Sequence, residues 1–509
     1  MSPVANKPNR KLPLWGLLLA ALTPVLLRVL IIGYVPLGVD GGQWVAHGRA
    51  LFSSEHPRGL YPPLVPLLSW VLTLLLPFRS ALSLLAVAAA AAPGVGVGLF
   101  ARRLDAPRTV AVLSAFAVSA TGLTGEAFLW AGYPQLIALA FVPLALLSLE
   151  ELLAIDGSKQ RTRSSQRLLA VSIIAIACTS HLVLLSTAVG VLVLLAVRLR
   201  HPDRRSALRS LRRPAFYAVL AAIVLSPVYL SLSETFAASR VAREDSRFSQ
   251  LLDFYDYLLR LETIPYLLLL CTAAVLLWCA RRSSEVRTPL PGALASKAAV
   301  LCAVLLPFLL RERRLAYIAG TALAMLVVTA FSSWRSSKRR FVLLSLVTVL
   351  VAGASSAAGV ARTQADHAFY NFVTPAALEL AQEVATFSEQ GDTIAVASVR
   401  TLPYGWWVEG VAARRTYSMA SGDVLYRASE KRDLDVVLEV FKASTTDPFP
   451  SKAGLAQARY HSVSMLVTPW EWGGVTSREL GLRVKQCSDP CEFSVVFQNE
   501  YGALIRVNS

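Results

Sequence analysis

One carboxylate, Asp40, lies in a stretch of glycine and aromatic residues between Gly33 and Arg49. This stretch directly follows the first long apolar segment, and a Tyr-Pro-Pro turn sequence at residues 61–63 comes shortly after it. A carboxylate in such a place could accept a proton from an acceptor hydroxyl, or could bind a divalent cation that neutralises a phosphate. An ordinary solvated loop charge is the alternative. The surroundings of Asp40 favour catalysis, with its role as base or metal ligand left open.

A second carboxylate, Glu126, follows a later apolar segment, within the short loop 121–133. Two oxygen donors from different loops suit Mg²⁺ or Mn²⁺, because these ions keep several waters and take phosphate oxygens as further ligands. The sequence therefore predicts that Asp40 and Glu126 are catalytic and bind a divalent cation. His47 lies near Asp40, but one histidine and one aspartate make no zinc site. For Glu126 a solvated loop charge is again the alternative.

Three arginines, Arg311, Arg313 and Arg314, interrupt an apolar stretch that runs from residue 298 to residue 331. The planar guanidinium group binds phosphate oxygens in pairs, so these arginines are predicted to bind a donor phosphate. Interfacial anchors that reach lipid headgroups are the alternative. His181 lies between two apolar segments and could contact the same phosphate. It could equally satisfy backbone carbonyls where a helix breaks.

The composition is that of a polytopic membrane protein. Of the 509 residues, 55% are hydrophobic and 16% are charged, which is too apolar for a soluble protein of this length. The net charge of +17 comes from the first 360 residues, which hold 36 basic and 16 acidic groups, whereas residues 361–509 hold 14 and 17. The basic groups occur in short clusters between apolar segments, as in cytoplasmic loops. Nucleic-acid binding is therefore not expected.

The charge pattern also predicts the topology. Segment 63–77 is short and proline-containing, so we expect it to lie along or dip into the outer leaflet rather than span a hydrocarbon core of roughly 30 Å. The chain then has about eleven spans, with its N-terminus in the cytoplasm and segments 168–179 and 182–197 paired as a hairpin. The segments are 12–33, 63–77, 81–100, 109–124, 133–149, 168–179, 182–197, 214–231, 263–280, 298–310, 315–331 and 341–360.

This arrangement places 25 basic residues on the cytoplasmic side. The carboxylates, the arginine cluster and the C-terminal residues all fall on the exoplasmic side. The protein is expected in the plasma (inner) membrane. The cytoplasmic loops are 1–11, 101–108, 150–167, 198–213, 281–297 and 332–340.

Residues 361–509 are predicted to form a soluble exoplasmic α/β domain that follows a membrane domain of residues 1–360. Thr374 and Pro375 predict the start of a helix that ends near Ser388. Further elements are expected as strands at 393–398, 463–468 and 503–507 and as a helix at 433–442. Cys487 and Cys491 could pair if this region is exoplasmic, and would be free thiols in the cytoplasm.

This layout resembles the GT-C superfamily of membrane glycosyltransferases, in particular the catalytic subunit of oligosaccharyltransferases and its uncharacterised bacterial relatives. Asp40 in the first exoplasmic loop, residues 61–63 before a juxtamembrane helix, Gly125-Glu126 and the Arg311–Arg314 cluster carry the resemblance. Residues 406–410, Trp-Trp-Val-Glu-Gly, are similar to the Trp-Trp-Asp-Tyr-Gly signature that holds an acceptor sequon, although Val408 stands in the place of the aspartate and Glu409 follows it.

The resemblance implies transfer of a sugar from a polyprenyl-phosphate or -diphosphate donor to a glycan, lipid or protein acceptor on the exoplasmic face, with inversion. It implies that Trp406, Trp407, Glu409 and Tyr61 bind the acceptor. The alternative for the two tryptophans is a packed domain face or an interfacial position.

Two other functions remain open: a transporter or flippase of lipid-linked sugars, and a non-catalytic envelope assembly protein with the same scaffold. The chain shows no Walker loop, dinucleotide fingerprint or nucleophile elbow, so nucleotide-driven chemistry and acyl transfer lack support.

Overall fold

The computed structural model describes residues 13–52, 61–154, 159–199, 211–241, 292–310 and 313–333. In the C-terminal part it describes 353–397, with short gaps before 373, and 404–418, 435–441 except 438, 452–469 and 493–508. The predicted segment 263–280, nearly all of 341–360, Arg311 and both Cys487 and Cys491 lie outside the described residues.

The chain forms two compact units. The first consists of the described parts of Met1–Val35, Ala86–Val224 and Ser246–Asp366. The second combines the described parts of Pro36–Leu85 and Leu225–Asp245 with those of His367–Ser509. Residues of the first predicted loop, Asp40 among them, therefore pack with the C-terminal residues, while Glu126 belongs to the other unit.

The first part of the chain is helical. Its helices are α1 (Leu14–Ile32), α2 (Gly41–Ala50), α3 (Leu64–Leu75), α4 (Phe78–Arg103), α5 (Arg108–Ala120), α6 (Gly122–Leu129), α7 (Tyr133–Leu139), α8 (Val142–Leu153), α9 (Lys159–Thr179), α10 (His181–Leu199), α11 (Arg212–Val241), α12 (Ala293–Leu310) and α13 (Ile318–Ser333). A 3₁₀ turn, Arg313–Tyr317, joins the last two.

Several of these helices are long and apolar enough to cross a membrane. Within the described residues five helical stretches meet that condition, or six if the bent pair α5–α6 is one span. The five are Leu14–Ile32, Phe78–Arg103, Tyr133–Leu153, Arg212–Leu230 and Arg314–Ser332. A helical membrane protein with several apolar spans is confirmed, and the total of eleven stays a prediction.

Two segments show how local sequence sets the helix bounds. Helix α3 has 12 residues, about 18 Å at the usual rise per residue, too short to cross a bilayer, as predicted for 63–77. The predicted span 109–124 is not one continuous helix, because the chain bends by 49° between α5 and α6. Thr121 lies at the bend in extended conformation and its side chain accepts the backbone N–H of Thr124, which starts a new helix.

Polar contacts join four helices at one end of the first unit. At the end of α4, Arg103 donates to the Glu151 carboxylate of α8 at 2.6 Å, and Ser165 of α9 donates to the same oxygen at 2.6 Å. Beside them the Glu150 carboxylate accepts the backbone N–H groups of Gly292 and Ala295 at 3.0 and 2.8 Å, which caps the start of α12. Parts of three predicted cytoplasmic loops, 101–108, 150–167 and 281–297, therefore lie together.

The C-terminal residues form a mixed sheet with helices on it, as predicted. Its elements are α14 (Pro375–Phe387), β1 (Thr393–Val396), α15 (Tyr404–Ala412), β2 (Arg415–Ser418), α16 (Lys452–Tyr460), β3 (Val463–Pro469), β4 (Phe493–Gln498) and β5 (Gly502–Val507). The strand order is β2-β1-β3-β5-β4, with β2, β1 and β3 parallel and the other two pairings antiparallel. Thr374 caps α14 by accepting the N–H of Ala377 at 3.1 Å.

Alternate residues of each strand face the two sides of this sheet. Ile394 and Val396 pack on one side with α14 and α15, whereas Ala395 and Ala397 pack on the other side with α16 and with helical residues between 435 and 440. The first of these cores also contains Leu37, Val45 and Leu82. Residues from the beginning of the chain are therefore part of the C-terminal core.

Candidate active site

Asp40 lies immediately before the first residue of α2 in the second unit. Its backbone carbonyl accepts the N–H of Trp44 at 3.2 Å, which fixes Asp40 to the first turn. Its side chain is half-buried and makes no capping hydrogen bond to that helix in the described structure. Asp40 therefore lies at a helix N-terminus, where the exposed N–H groups favour negative charge.

Helix α15 packs directly on the backbone around Asp40. Trp407 donates its indole N–H to the carbonyl of Val39 at 3.0 Å. A Cβ atom on Gly42 would lie 2.6 Å from the Trp407 Cα, and one on Gly410 would lie 2.3 Å from the Gly42 carbonyl oxygen. Only glycine permits this approach, since real Cβ atoms do not come closer than 3.0 Å. The Trp-Trp-Val-Glu-Gly segment thus touches the residues on both sides of Asp40.

Arg49 joins the other end of α2 to the same segment. Its guanidinium group donates to the backbone carbonyls of Glu409 and Gly410 at 3.2 and 3.3 Å. These carbonyls belong to the last turn of α15, and that of Glu409 also accepts the N–H of Ala413 at 3.2 Å. Burial lowers the pKa of Arg49, and the Glu409 carboxylate opposes this shift. Arg49 therefore closes the contact between α2 and α15.

Aromatic and polar side chains continue along the face of α2 that begins at Asp40. Trp44 and His47 follow at helical spacing, and the ring centroids of Trp44 and Tyr61 are 4.8 Å apart. His47 and Tyr61 are 6.0 Å apart, and Gln43 contacts the His47 Nε2 atom at 3.2 Å. Tyr61 therefore packs on α2, the helix that begins directly after Asp40.

The other predicted acceptor residues are buried. Trp407 is 0%, Trp406 3% and Glu409 4% exposed. The Glu409 carboxylate accepts the hydroxyl of Thr416 at 3.4 Å. Of the alternatives that the sequence left open for the tryptophans, the structure shows a packed face, made by α15 on α2. Acceptor binding by these residues stays a prediction.

Glu126 lies in the first unit and is 5% exposed. The sequence placed it in a short loop, and that assignment is wrong: Gly122–Leu129 is helix α6, and all eight of its residues are buried. The helix forms because Thr121 caps it. Glu126 is therefore a buried carboxylate on a short helix that follows the bend.

A buried arginine, Arg28 of α1, holds that bend. Its guanidinium donates to the carbonyls of Ser119, Ala120 and Thr121 at 2.6, 2.5 and 2.7 Å. The first two belong to the last turn of α5, where carbonyls lack helical partners and a cation complements the helix dipole, whereas the Thr121 carbonyl also accepts the N–H of Gly125 at 3.0 Å. Arg28 is 1% exposed. A Cβ atom on Gly125 would lie 3.2 Å from its guanidinium carbon, so the arginine also packs against the turn that carries Glu126.

The 3₁₀ turn that contains Arg314 lies near α6 and the start of α10. Trp130, one residue after α6, donates its indole N–H to the Tyr317 hydroxyl at 3.0 Å. Leu315 packs with Leu182 in one buried cluster. The predicted residues Glu126, Arg314 and His181 are thus brought to one end of the first unit. Only the backbone of Arg313 is described.

The described residues contain no group of three or more His, Cys, Asp or Glu side chains that could hold a metal ion. Asp40 and Glu126 belong to different units, so their pairing as ligands of Mn²⁺ or Mg²⁺ stays a prediction.

Sequence reasoning missed Arg28, Arg49 and the α2–α15 contact. Arg28 had a visible signal, because a single arginine inside a long apolar segment is costly and usually has a specific partner. Arg49 and the contact had none, since their partners lie about 360 residues further along the chain.

Solved structures share this fold. ArnT from Cupriavidus metallidurans in the apo state matches with a TM-score of 0.56 and 13% identity, over 95% of this chain and 96% of ArnT. ArnT from the same organism bound to undecaprenyl phosphate matches with a TM-score of 0.54 and 12% identity, over 96% of this chain and 97% of ArnT. A third match is the archaeal oligosaccharyltransferase AglB from Archaeoglobus fulgidus, in complex with an inhibitory peptide and a dolichol-phosphate. Its TM-score is 0.50 and its identity 14%, over 90% of this chain and 69% of AglB. No protein-family model and no curated sequence matches the chain.

ArnT and AglB are membrane glycosyltransferases of the GT-C type, and the match extends over nearly the whole chain. The fold is therefore the GT-C fold, as the sequence resemblance implied. At 12–14% identity the likeness shows the fold alone.

Proposed function

We propose that the protein is a membrane glycosyltransferase that moves a sugar from a polyprenyl-phosphate or -diphosphate donor to an acceptor on the exoplasmic face. The observation that carries this proposal is the placement of Asp40, at the N-terminus of α2 and fixed by α15, in a chain with the GT-C fold. Two structures with this fold are complexes with undecaprenyl phosphate and with dolichol-phosphate, which supports a lipid phosphate donor.

In the proposed reaction, Asp40 accepts the proton of the acceptor nucleophile. The bond from that nucleophile to the anomeric carbon forms as the bond from this carbon to the donor phosphate oxygen breaks, and the lipid phosphate leaves with the electron pair. A single in-line displacement inverts the anomeric carbon. The charge that develops on the leaving phosphate needs a cationic partner, and Arg314 is the residue that the sequence predicts for this role.

The test is release of sugar from short-chain polyprenyl-phosphate donors by the purified full chain, with lipid extract and peptides offered as acceptors. We expect Asp40→Asn to lower turnover by about 10²–10⁴-fold, the usual contribution of a general base. The exposed Glu500→Gln is the matched control and should keep wild-type turnover. Donor binding without any release, by wild type and both variants, would instead support a transporter or an assembly protein.

A further inference from the structure

The Trp-Trp-Val-Glu-Gly segment 406–410 has a different relation to Asp40 from the one its sequence suggested. We infer that this segment is a positioning element that fixes the backbone of the catalytic carboxylate, and that Trp407 and Gly410 are its central residues. The inference rests on the proposed function of Asp40. It assigns the segment a role in the rate of transfer, separate from recognition of the acceptor.

The contacts lie on both sides of Asp40. The indole N–H of Trp407 binds the carbonyl of Val39, the residue before it. The indole ring and backbone of Trp407 meet Gly41 and Gly42, the two residues after it, at distances that exclude a Cβ atom at either position. With its neighbours packed in this way, the Asp40 residue has little freedom to change its backbone angles. Because a buried interior transmits small displacements, a change in α15 should move Asp40.

The burial of the segment points the same way. Trp407 is fully buried and packs 6.0 Å from the ring of Phe78 as well as on α2. Its one indole N–H is used by Val39. To recognise an acceptor, a tryptophan needs an exposed ring face or a free indole N–H. The Trp407 ring is buried and its N–H already binds Val39, so neither is available to an acceptor.

Arg49 secures the same helix pair at a second point. Its bonds to the carbonyls of Glu409 and Gly410 lie two turns of α2 beyond Asp40. With Trp407 at the start of α2 and Arg49 near its end, the helix cannot tilt on α15 without losing one of the two contacts. Catalytic geometry needs this kind of support, since a displacement of about 1 Å can cost 10²-fold in rate.

The first test uses Gly410→Ala, whose new methyl group would press on the Gly42 carbonyl, and Trp407→Phe, which removes the indole N–H. Gly391→Ala is the matched control, because its methyl group would meet nothing within 4 Å in the same domain. Tyr404→Phe also removes one buried donor from α15, but this hydroxyl binds the Ala377 carbonyl and not α2. We expect the first two variants to lower kcat by about 10²-fold with little change in the acceptor KM, and both controls to keep kcat.

The second test is hydrogen exchange of the amides of residues 36–50 in the full-length protein. Faster exchange in Gly410→Ala and Trp407→Phe, with wild-type exchange in Gly391→Ala and Tyr404→Phe, would support positioning even if no donor substrate were found. The inference is overturned if residues 36–50 exchange as in wild type, or if the variants raise the acceptor KM and leave kcat unchanged. If instead Asp40→Asn keeps full transfer while exchange responds as expected, the catalytic role of Asp40 fails and the contact stands.

Discussion

Arg28 is the residue whose burial most needs an explanation, since a charged side chain in a candidate membrane span is expensive. Its three hydrogen bonds to the end of α5 supply that explanation. An arginine can make them because its planar fork presents several donors in fixed directions, which a lysine ammonium cannot match.

We therefore predict that Arg28→Leu lowers the free energy of unfolding by at least about 2 kcal/mol, because the buried carbonyls of Ser119 and Ala120 lose the Arg28 donor. Arg28→Lys should recover only part of this loss. Thr23→Ala, on the exposed face of the same helix, should stay within about 0.5 kcal/mol of wild type. Denaturation in detergent measures all three, and equal stability of Arg28→Leu and Thr23→Ala would contradict this account.

At the residue scale the sequence predicted some of the candidate site and missed its support. Asp40 and Glu126 stand out because carboxylates are rare in such apolar chains. The partners of Asp40 could not be predicted, since Trp407 lies 368 residues from the Val39 carbonyl that it binds. Glu126 was visible, but its burial depends on the Thr121 cap and on packing around Arg28.

At the scale of elements, long-range side chains decide where several helices start and end. Glu150 caps the first turn of α12 across 142 and 145 positions of the sequence, in place of a residue next to that helix. Helix α6 begins at a local cap, Thr121, but stays beside α5 through Arg28.

We predict that Glu150→Ala lowers the thermal unfolding midpoint, because two N–H groups at the start of α12 lose their acceptor at a cost of roughly 1–3 kcal/mol each. Glu150→Gln, which keeps one acceptor oxygen, should fall between Ala and wild type. Intrinsic fluorescence during heating provides the measurement. A midpoint unchanged in Glu150→Ala would show that α12 is capped in another way.

Strands were predicted according to their burial. Segments 463–468 and 503–507 are runs of buried residues, and both became strands. β4 was missed although its sequence, Phe-Ser-Val-Val-Phe-Gln, is rich in strand-forming residues, whereas β2 was missed because its four residues, Arg415–Ser418, are mainly polar. Both are edge strands of the sheet.

At the scale of the whole molecule, the positive-inside pattern and the structure agree on one point. Arg103, Glu151 and Ser165 gather at the same end of the first unit, as the assignment of their loops to one side of the membrane requires. Which compartment this end faces is a prediction from charge alone.

Single cysteines test that orientation in cells from which accessible native cysteines are removed. A cysteine at exposed Arg108 should resist an impermeant thiol reagent in intact cells and react after the membrane is permeabilised. A cysteine at exposed Gly391 should react in intact cells. The reverse labelling pattern would invert the topology and place Asp40 in the cytoplasm, which would exclude an exoplasmic reaction.

The contact between Val39 and Trp407 also has a consequence for synthesis of the protein. Trp407 is synthesised 368 residues after Val39, whose carbonyl its indole binds. A product terminated between the two would carry the Asp40 carboxylate without the helix that packs on it. Nascent and truncated chains that lack α15 are therefore expected to be inert in the membrane.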